Sequence, residues 1–307
     1  MIELLKSIND NYDMFIDTNK IHKFGATTIN DIFLINIDSQ KYIVKIYNVD
    51  EEKQIDNSLY TQKKVYQSLK MAPDVLLNKN NELYTRHNDK FYAIQEYIEE
   101  QKSTETDIIE KTSKNLCFLH QELKKLDESL YKNKKEYSDN ISIKENIDKT
   151  KNEFEKIRTS QEVKNVFNAL LNKRKNMLEK YNCEYHPNEF QVIHRDIRPG
   201  NIITNNNEIY FIDFDYVAYG DLLFEIGSAS MLVSDFVIEG AKNFVKIYNS
   251  YLEKKYRSEE IYENLLAYYV QSDFPIKLIN KVENDALIGF IKTRIKCLDF
   301  CEEILHY

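Results

Sequence analysis

A short polar loop, residues 194–201 (HRDIRPGN), follows a β-type run in the second half of the chain, where most of the sequence has helical spacing. An Asp in such a loop can orient a hydroxyl group and accept its proton. An Asn a few residues later offers a hard oxygen ligand of the kind that Mg²⁺ prefers. Asp196 and Asn201 match these requirements, so the loop predicts a site for proton transfer and metal binding.

A second β-type run, residues 209–214, leads into the sequence IDFD at residues 212–215, and Asp213 lies 17 residues after Asp196 (213 − 196). An Asp at a strand end can hold magnesium that bridges triphosphate oxygens, and the first loop fits the kinase pattern H-R-D-x-x-x-x-N. The two features at this distance are far more specific than either one alone. Together they predict phosphoryl transfer from a nucleoside triphosphate.

Lys45 lies inside an apolar run, residues 42–47 (YIVKIY), where an unpaired ammonium would be costly to bury. In a kinase such a lysine meets the α- and β-phosphates of the nucleotide. The alternative is an edge-strand lysine that discourages aggregation. The downstream motifs favour the phosphate-binding interpretation.

A candidate phosphate-covering loop precedes the first long strand, at residues 24–30 (FGATTIN). Such a loop needs a flexible backbone and small hydroxyl or amide side chains, and Gly25, Thr27, Thr28 and Asn30 fit that description. Neither G-x-G-x-x-G nor the P-loop pattern occurs in the chain, so this segment gains weight only from the other motifs.

The order of patterns predicts an α+β fold of two lobes. We expect residues 1–98 to form a small nucleotide-binding lobe, an antiparallel β-sheet with one helix, and residues 99–307 to form a larger, mainly helical catalytic and substrate-binding lobe. The predicted elements of the first lobe are strands at residues 32–37, 42–47, 82–86 and 91–98 and a helix at about residues 55–70. Helical spacing dominates from residue 106 to 180 and again from residue 229.

The chain resembles the aminoglycoside phosphotransferase and choline kinase-like family, whose members are relatives of the protein kinases. The resemblance extends from about residue 25 to residue 227, and its motifs are VKIY (44–47), IQEYI (94–98), FLHQ (118–121), VIHRDIRPGNI (192–202), IDFD (212–215) and YGDLLFEIG (219–227). It implies that ATP or GTP binds between the lobes, with residues 94–98, including Glu96 and Ile98, as the hinge. It also implies that Asp196 is the catalytic base and that Asn201 and Asp213 bind magnesium.

Three positions depart from the family pattern. Gln62 stands where many relatives carry a Glu that pairs with the lysine. Either Gln62 hydrogen-bonds Lys45, or Glu51 or Glu52 positions the lysine instead. Glu225 stands where relatives usually have Asp. Arg198 replaces a His that is frequent in antibiotic kinases, and it meets either the γ-phosphate or the loop backbone.

Charge and composition restrict the partners. A net charge of −8 argues against nucleic acid, which needs clustered Lys and Arg, and is compatible with a cationic substrate as well as with ordinary solubility. No uncharged apolar run is long enough to span a bilayer, and Asp and Glu occur too early for a signal peptide. We therefore expect a cytoplasmic protein without membrane or nucleic-acid partners, as a monomer or homodimer.

The acceptor is expected to be a small molecule. Asp213 is followed by Phe and Asp rather than Phe and Gly, and Phe224 lies only 11 positions after Asp213 (224 − 213), which leaves no room for a long activation segment. An aminoglycoside is the leading hypothesis; the alternatives are choline, homoserine or a related amino alcohol or sugar, or a nucleotide-binding pseudokinase or scaffold. Candidate acidic contacts for a cationic acceptor are Asp221, Asp235, Glu239, Asp273, Asp299, Glu302 and Glu303.

Overall fold

The computed structural model describes residues 2–14, 16, 21–24, 30–37, 40–48, 51–132, 140–183, 189–271 and 283–307. The chain divides into two compact units. One comprises Met1–Lys132 and Val192–Ala218, and the other comprises Asn133–Gln191 and Tyr219–Tyr307. The lobe boundary expected at residue 98 stays a prediction.

An antiparallel sheet of five strands forms the centre of the first unit. Its strands are β1 (Ile21–Lys23), β2 (Asp31–Ile37), β3 (Gln40–Tyr47), β4 (Thr85–His87) and β5 (Lys90–Glu96), in the order β1-β2-β3-β5-β4. All four pairings are antiparallel, as predicted. The expected β2–β3 hairpin is present, although its turn residues Asp38 and Ser39 lie outside the described residues.

Alternating side chains give this sheet two apolar faces, and each face is covered by a helix. Helix α1 (Ile2–Asn11), which the sequence analysis did not anticipate, packs Leu4, Leu5 and Ile8 on the face that contains Val44. Helix α2 (Glu52–Leu69), predicted at about residues 55–70, covers the opposite face. Side chains in a strand alternate between faces, so Lys45 points to the same side as α2.

A helix and a small hairpin complete the first unit. Helix α3 (Glu105–Leu123) begins after Thr104, whose hydroxyl accepts a hydrogen bond from the Asp107 amide. Strand β6 (Phe190–Ile193) leads into the polar loop, and β7 (Ile202–Asn205) pairs with β8 (Glu208–Phe211) in an antiparallel hairpin. Strand β9 (Ala218–Asp221), most of which belongs to the second unit, pairs with β6. The polar loop and the IDFD sequence thus follow β6 and β8 directly.

The second unit is built from helices, as expected for this part of the chain. These are α4 (Asn140–Glu155), α5 (Gln161–Lys180), α6 (Leu222–Val233), α7 (Ile238–Ser250), α8 (Ser258–Gln271) and α9 (Asn284–His306). Apolar residues of the highly charged α4–α5 region are buried, and Phe154 stacks on Phe167 with ring centroids 3.8 Å apart. Within the described ranges, no helix has the length and apolar character needed to cross a membrane.

Packing of α2 on the sheet should be sensitive to a cavity. Leu59 of α2 is fully buried against the face of the sheet that this helix covers, whereas Leu77 is 46% exposed. We expect Leu59→Ala to lower the free energy of unfolding by about 2–5 kcal/mol, because apolar burial is lost and a cavity remains. The matched control Leu77→Ala removes the same atoms and should cost about 1 kcal/mol or less. Urea titration checks both values, and equal losses would contradict this packing.

Candidate active site

Lys45 occupies the middle strand of the sheet and is paired with two carboxylates. Its side chain is 8% exposed, and its Nζ lies 2.7 Å from Asp213 Oδ1 and 2.7 Å from Asp215 Oδ2. Strand β3 has neighbours on both sides, so the alternative interpretation of an edge-strand lysine is wrong. The buried ammonium is satisfied by ion pairs, as the cost of burying an unpaired charge requires.

Asp213 follows β8 in a conformation that few residues adopt. Its φ of 64° and ψ of 63° are left-handed, and a 3₁₀ turn, Phe214–Tyr216, begins directly after it. Two hydrogen bonds fix the preceding residue: the Ile212 amide donates to Asn201 O at 3.0 Å, and Ile212 O lies 3.1 Å from His194 Nε2. This backbone turn directs the Asp213 carboxylate towards Lys45.

Burial and charge act against each other in this cluster. Burial lowers the pKa of the Lys45 ammonium, but its interactions with Tyr47, Asp215 and Asp213 outweigh burial and raise that pKa above its usual value. Burial raises the pKa of Asp213, yet the ammonium holds it below its usual value. For Asp215, burial prevails and the pKa is raised. Asp213 is therefore the more readily ionised of the two carboxyl groups.

The Asp196 carboxylate is held by two residues of its own loop. Arg198 Nε donates to Asp196 Oδ1 at 3.1 Å and to Oδ2 at 3.2 Å. Asn201 Nδ2 donates to the same Oδ2 at 2.6 Å and to the Asp196 backbone oxygen at 2.9 Å. Because its amide nitrogen serves Asp196, the Asn201 side-chain oxygen remains as a possible metal ligand, and it accepts no hydrogen bond from the residues that the structure describes.

Gln62 points inward as expected but does not bond Lys45. Its Nε2 donates to Pro73 O at 2.9 Å and to Gln95 Oε1 at 3.3 Å, so the amide links α2 to the segment that follows it and to β5. Whether Gln62 contributes to nucleotide binding stays a prediction. The expectation that it positions Lys45 is corrected by these contacts.

The two glutamates considered as substitutes also have other partners. Glu51 forms an exposed ion pair with Lys132 at 3.5 Å, and Glu52 accepts a hydrogen bond from the Tyr84 hydroxyl at 3.0 Å. Neither of them is an ion-pair partner of Lys45 in the described part of the chain.

Asp215 also contacts Lys45. The sequence analysis included Asp215 in the IDFD motif but gave it no role. Asn30 Nδ2 donates to Asp215 Oδ2 at 2.7 Å, and Ser58 Oγ donates to Asp215 Oδ1 at 3.3 Å. Gln54 Nε2 donates to the Asp215 backbone oxygen at 2.7 Å. Ser58 and Gln54 lie on α2, so that helix reaches Lys45 through Asp215. The sequence analysis missed both residues, because neutral Ser and Gln side chains on a helix carry no motif.

The expected nucleotide-binding segments are partly described. Gly25, Thr27 and Thr28 lie outside the described residues. At the hinge, the Glu96 amide donates to Asp74 O and the Tyr97 amide donates to Lys41 O. The next amide, that of Ile98, donates to no residue in the described ranges, so it is available to a ligand.

Most of the acidic residues considered for a cationic acceptor are engaged within the second unit. Asp221 caps α6 by accepting from the Leu223 amide at 2.9 Å. Ion pairs with lysines occupy three others, Asp235, Asp299 and Glu302. Asp273 lies outside the described residues. A contact between any of these carboxylates and the acceptor stays a prediction.

Comparison with known proteins gives one family match and one curated relative. The profile of the family described as phosphotransferase enzymes, APH, matches residues 20–262. The Protein LicA homolog of Mycoplasma capricolum subsp. capricolum (strain California kid) is 31% identical over 100 residues, which are 29% of this chain and 42% of that protein. The match with this relative thus spans less than half of its length.

Solved structures are similar over nearly the whole chain. They include a microcompartment-associated aminopropanol kinase, with a TM-score of 0.66 and 14% identity over 100% of this chain and 98% of that chain. A choline kinase from Cryptosporidium parvum Iowa II has a TM-score of 0.64 and 14% identity, covering 99% and 96%. A spectinomycin phosphotransferase in complex with ADP and spectinomycin has a TM-score of 0.62 and 16% identity, over 98% of this chain and 93% of that chain. These likenesses confirm the predicted α+β kinase-like fold.

Removal of the Lys45 charge should give a stability that depends on pH. In Lys45→Met, Asp213 and Asp215 keep their burial but lose their shared cation, so their folded-state pKa values rise above the unfolded values. A carboxyl group shifted in this direction destabilises the folded protein above its unfolded pKa. We expect a loss of about 3 kcal/mol at about pH 7, recovered in part as the pH falls towards about 5.

Urea unfolding at both pH values measures this effect. The matched control is Lys63→Met, because the Lys63 side chain is also shielded, at 18% exposed, and pairs with one carboxylate among the described residues, Asp74, at 2.7 Å. Its loss should be smaller and should recover less at low pH. A Lys45→Met variant that is no less stable than the control, and equally stable at both pH values, would contradict the ion-pair cluster.

Proposed function

The chain belongs to the phosphotransferase enzyme family, as its sequence motifs indicated, and we propose that it transfers the γ-phosphoryl group of ATP or GTP to a hydroxyl group of a small acceptor that carries an amine or ammonium. The observation that carries this proposal is the contact of Lys45 with Asp213 at 2.7 Å. It joins the lysine of the sheet to the carboxylate expected to hold the metal, within the unit that also contains Asp196 and Asn201.

The oxygen donors of this site suit Mg²⁺. Magnesium prefers a small number of hard oxygen ligands and keeps several waters. Asn201 would offer its side-chain oxygen, and the Asp213 side chain is 34% exposed and ionised more readily than its neighbour. Bound there, the ion would neutralise negative charge on the triphosphate.

Asp196 is proposed as the base that accepts the hydroxyl proton. Its Oδ2 receives hydrogen bonds from both Asn201 and Arg198, whereas its Oδ1 is bonded by Arg198. The acceptor hydroxyl would therefore approach Oδ1 once Arg198 has moved. The Arg198 side chain is 49% exposed, so it can leave the carboxylate and stabilise negative charge on the transferred phosphoryl group.

The nucleotide is proposed to bind between residues 1–98 and residues 99–307. Lys45 would meet the α- and β-phosphates, and Gly25, Thr27 and Thr28 would cover them. At the hinge, the base would contact the backbone from Glu96 to Ile98, where the Ile98 amide is available as a donor. A role for Gln62 in this site would be indirect, through Gln95.

The proposed acceptor class is a hydroxylated amine. Three similar structures are those of kinases for aminopropanol, choline and spectinomycin, all of which combine a hydroxyl group with an amine or ammonium. The net charge of −8 favours the approach of a cation. Aminoglycosides and small amino alcohols such as choline or homoserine share this chemistry, and the experiment has to separate them.

Phosphoryl transfer should be measured with ATP and with GTP, each with Mg²⁺, against aminoglycosides, choline, ethanolamine, aminopropanol, homoserine and neutral sugars. We expect turnover on one class of hydroxylated amine and a loss of at least ~100-fold in Asp196→Asn, which cannot accept the proton. For choline, the neutral isostere 3,3-dimethylbutanol is the matched control and should be a poor acceptor. Tight binding of Mg²⁺-nucleotide without turnover on any amine would contradict the kinase and favour a nucleotide-binding scaffold.

A further inference from the structure

The buried face of α2 offers Lys45 no carboxylate. The buried residues of this helix are Ile55, Ser58, Leu59, Thr61, Gln62 and Val65. Its acidic residues point away from the sheet, since Glu52 and Asp56 are exposed and Glu52 bonds Tyr84. A lysine that must stay oriented towards phosphates therefore needs a partner from another part of the chain.

Asp215 meets that need and is itself anchored on α2. Its Oδ2 lies 2.7 Å from Lys45 Nζ and accepts from Asn30 at 2.7 Å. Ser58 donates to its Oδ1, and Gln54 donates to its backbone oxygen. Every oxygen of this residue is thus occupied by a donor from the N-terminal part of the chain, and its side chain is only 18% exposed.

Asp213 differs from Asp215 in how it is held. Its side chain is 34% exposed, about twice as much as that of Asp215, and its left-handed backbone presents the carboxylate at the end of β8. Of the two carboxylates, Asp213 is therefore the one that can turn to a metal ion while Asp215 stays with the lysine.

We propose that Asp215 is the positioning residue of Lys45, and that it replaces the helix glutamate of related chains by linking the lysine to Ser58 and Gln54 of α2. The proposal rests on the proposed function, since it concerns how Lys45 is presented to the nucleotide. When Asp213 is engaged by the metal, Asp215 is the carboxylate that keeps the ammonium in place. The position of α2 then controls Lys45 through hydrogen bonds to one carboxylate rather than through its own ion pair.

The test compares Asp215→Asn with Asp213→Asn by equilibrium binding of a non-hydrolysable ATP analogue over a range of Mg²⁺ concentrations, together with steady-state kinetics. For Asp215→Asn we expect nucleotide affinity to fall about 10- to 100-fold, the range for loss of a charged hydrogen bond. Its Mg²⁺ midpoint should stay within about 2-fold of that of the wild type, whereas Asp213→Asn should move the midpoint by at least ~10-fold. The exposed Asp56→Asn on α2 is the matched control and should resemble the wild type.

Relocation of the carboxylate gives a readout that a merely structural role would not produce. Ser58→Glu places a carboxylate on α2 next to the position of Asp215, so it should restore nucleotide affinity to Asp215→Ala, whereas Ser58→Gln should not. If Asp215→Ala does not fold, the same pair of changes is made in Asp215→Asn.

The outcomes separate this inference from the proposed function. If the wild-type protein transfers phosphate and Asp215→Asn binds nucleotide as tightly as the wild type does, the proposed role of Asp215 is overturned and the proposed function is not. A Mg²⁺ midpoint shifted as much by Asp215→Asn as by Asp213→Asn makes Asp215 a metal ligand and likewise overturns it. A wild-type protein that binds no Mg²⁺-nucleotide overturns both proposals.

Discussion

A buried ammonium on the central strand of the sheet determines much of the arrangement around it. The Lys45 side chain is only 8% exposed, and the free-energy cost of isolating its charge is large enough that partners must be supplied. Two carboxylates on the turn after β8 provide them, each at 2.7 Å. Strand β3, the β7–β8 hairpin and α2 are therefore held in one fixed relation within the first unit, and the expected metal ligand Asp213 is held beside the lysine.

The polar loop adds a second set of constraints to the same unit. The Asn201 side chain donates a hydrogen bond to Asp196 in the same loop. The Asn201 backbone oxygen accepts a hydrogen bond from the amide of Ile212, the residue before Asp213. The proposed base Asp196 and the proposed metal ligands Asn201 and Asp213 are thus linked through a short series of hydrogen bonds. Such preorganisation matters for phosphoryl transfer, in which catalysis consists mostly of positioning and charge stabilisation.

The sequence predicted those parts of the structure that depend on local pattern or on motif chemistry. Alternation located β2, β3 and β5, helical spacing located α2, and motif spacing identified Lys45, Asp196, Asn201 and Asp213 as candidates. It also placed Gln62 correctly on the inner side of its helix, but not its partners. Gln62 lies one turn beyond Ser58, and one helical turn advances the chain by about 5.4 Å. Because of this distance, Ser58 contacts Asp215, whereas Gln62 contacts Pro73 and Gln95. Such a choice depends on how the helix packs on the turn after β8, and local sequence does not encode it.

The most direct measurement is a crystal structure of the protein with Mg²⁺ and a non-hydrolysable ATP analogue. The account predicts that Lys45 Nζ lies about 3 Å from α- and β-phosphate oxygens while it still contacts Asp215, and that Asp213 and Asn201 coordinate the ion. A structure in which Lys45 remains bound to Asp213, with the triphosphate away from both residues, would contradict the account.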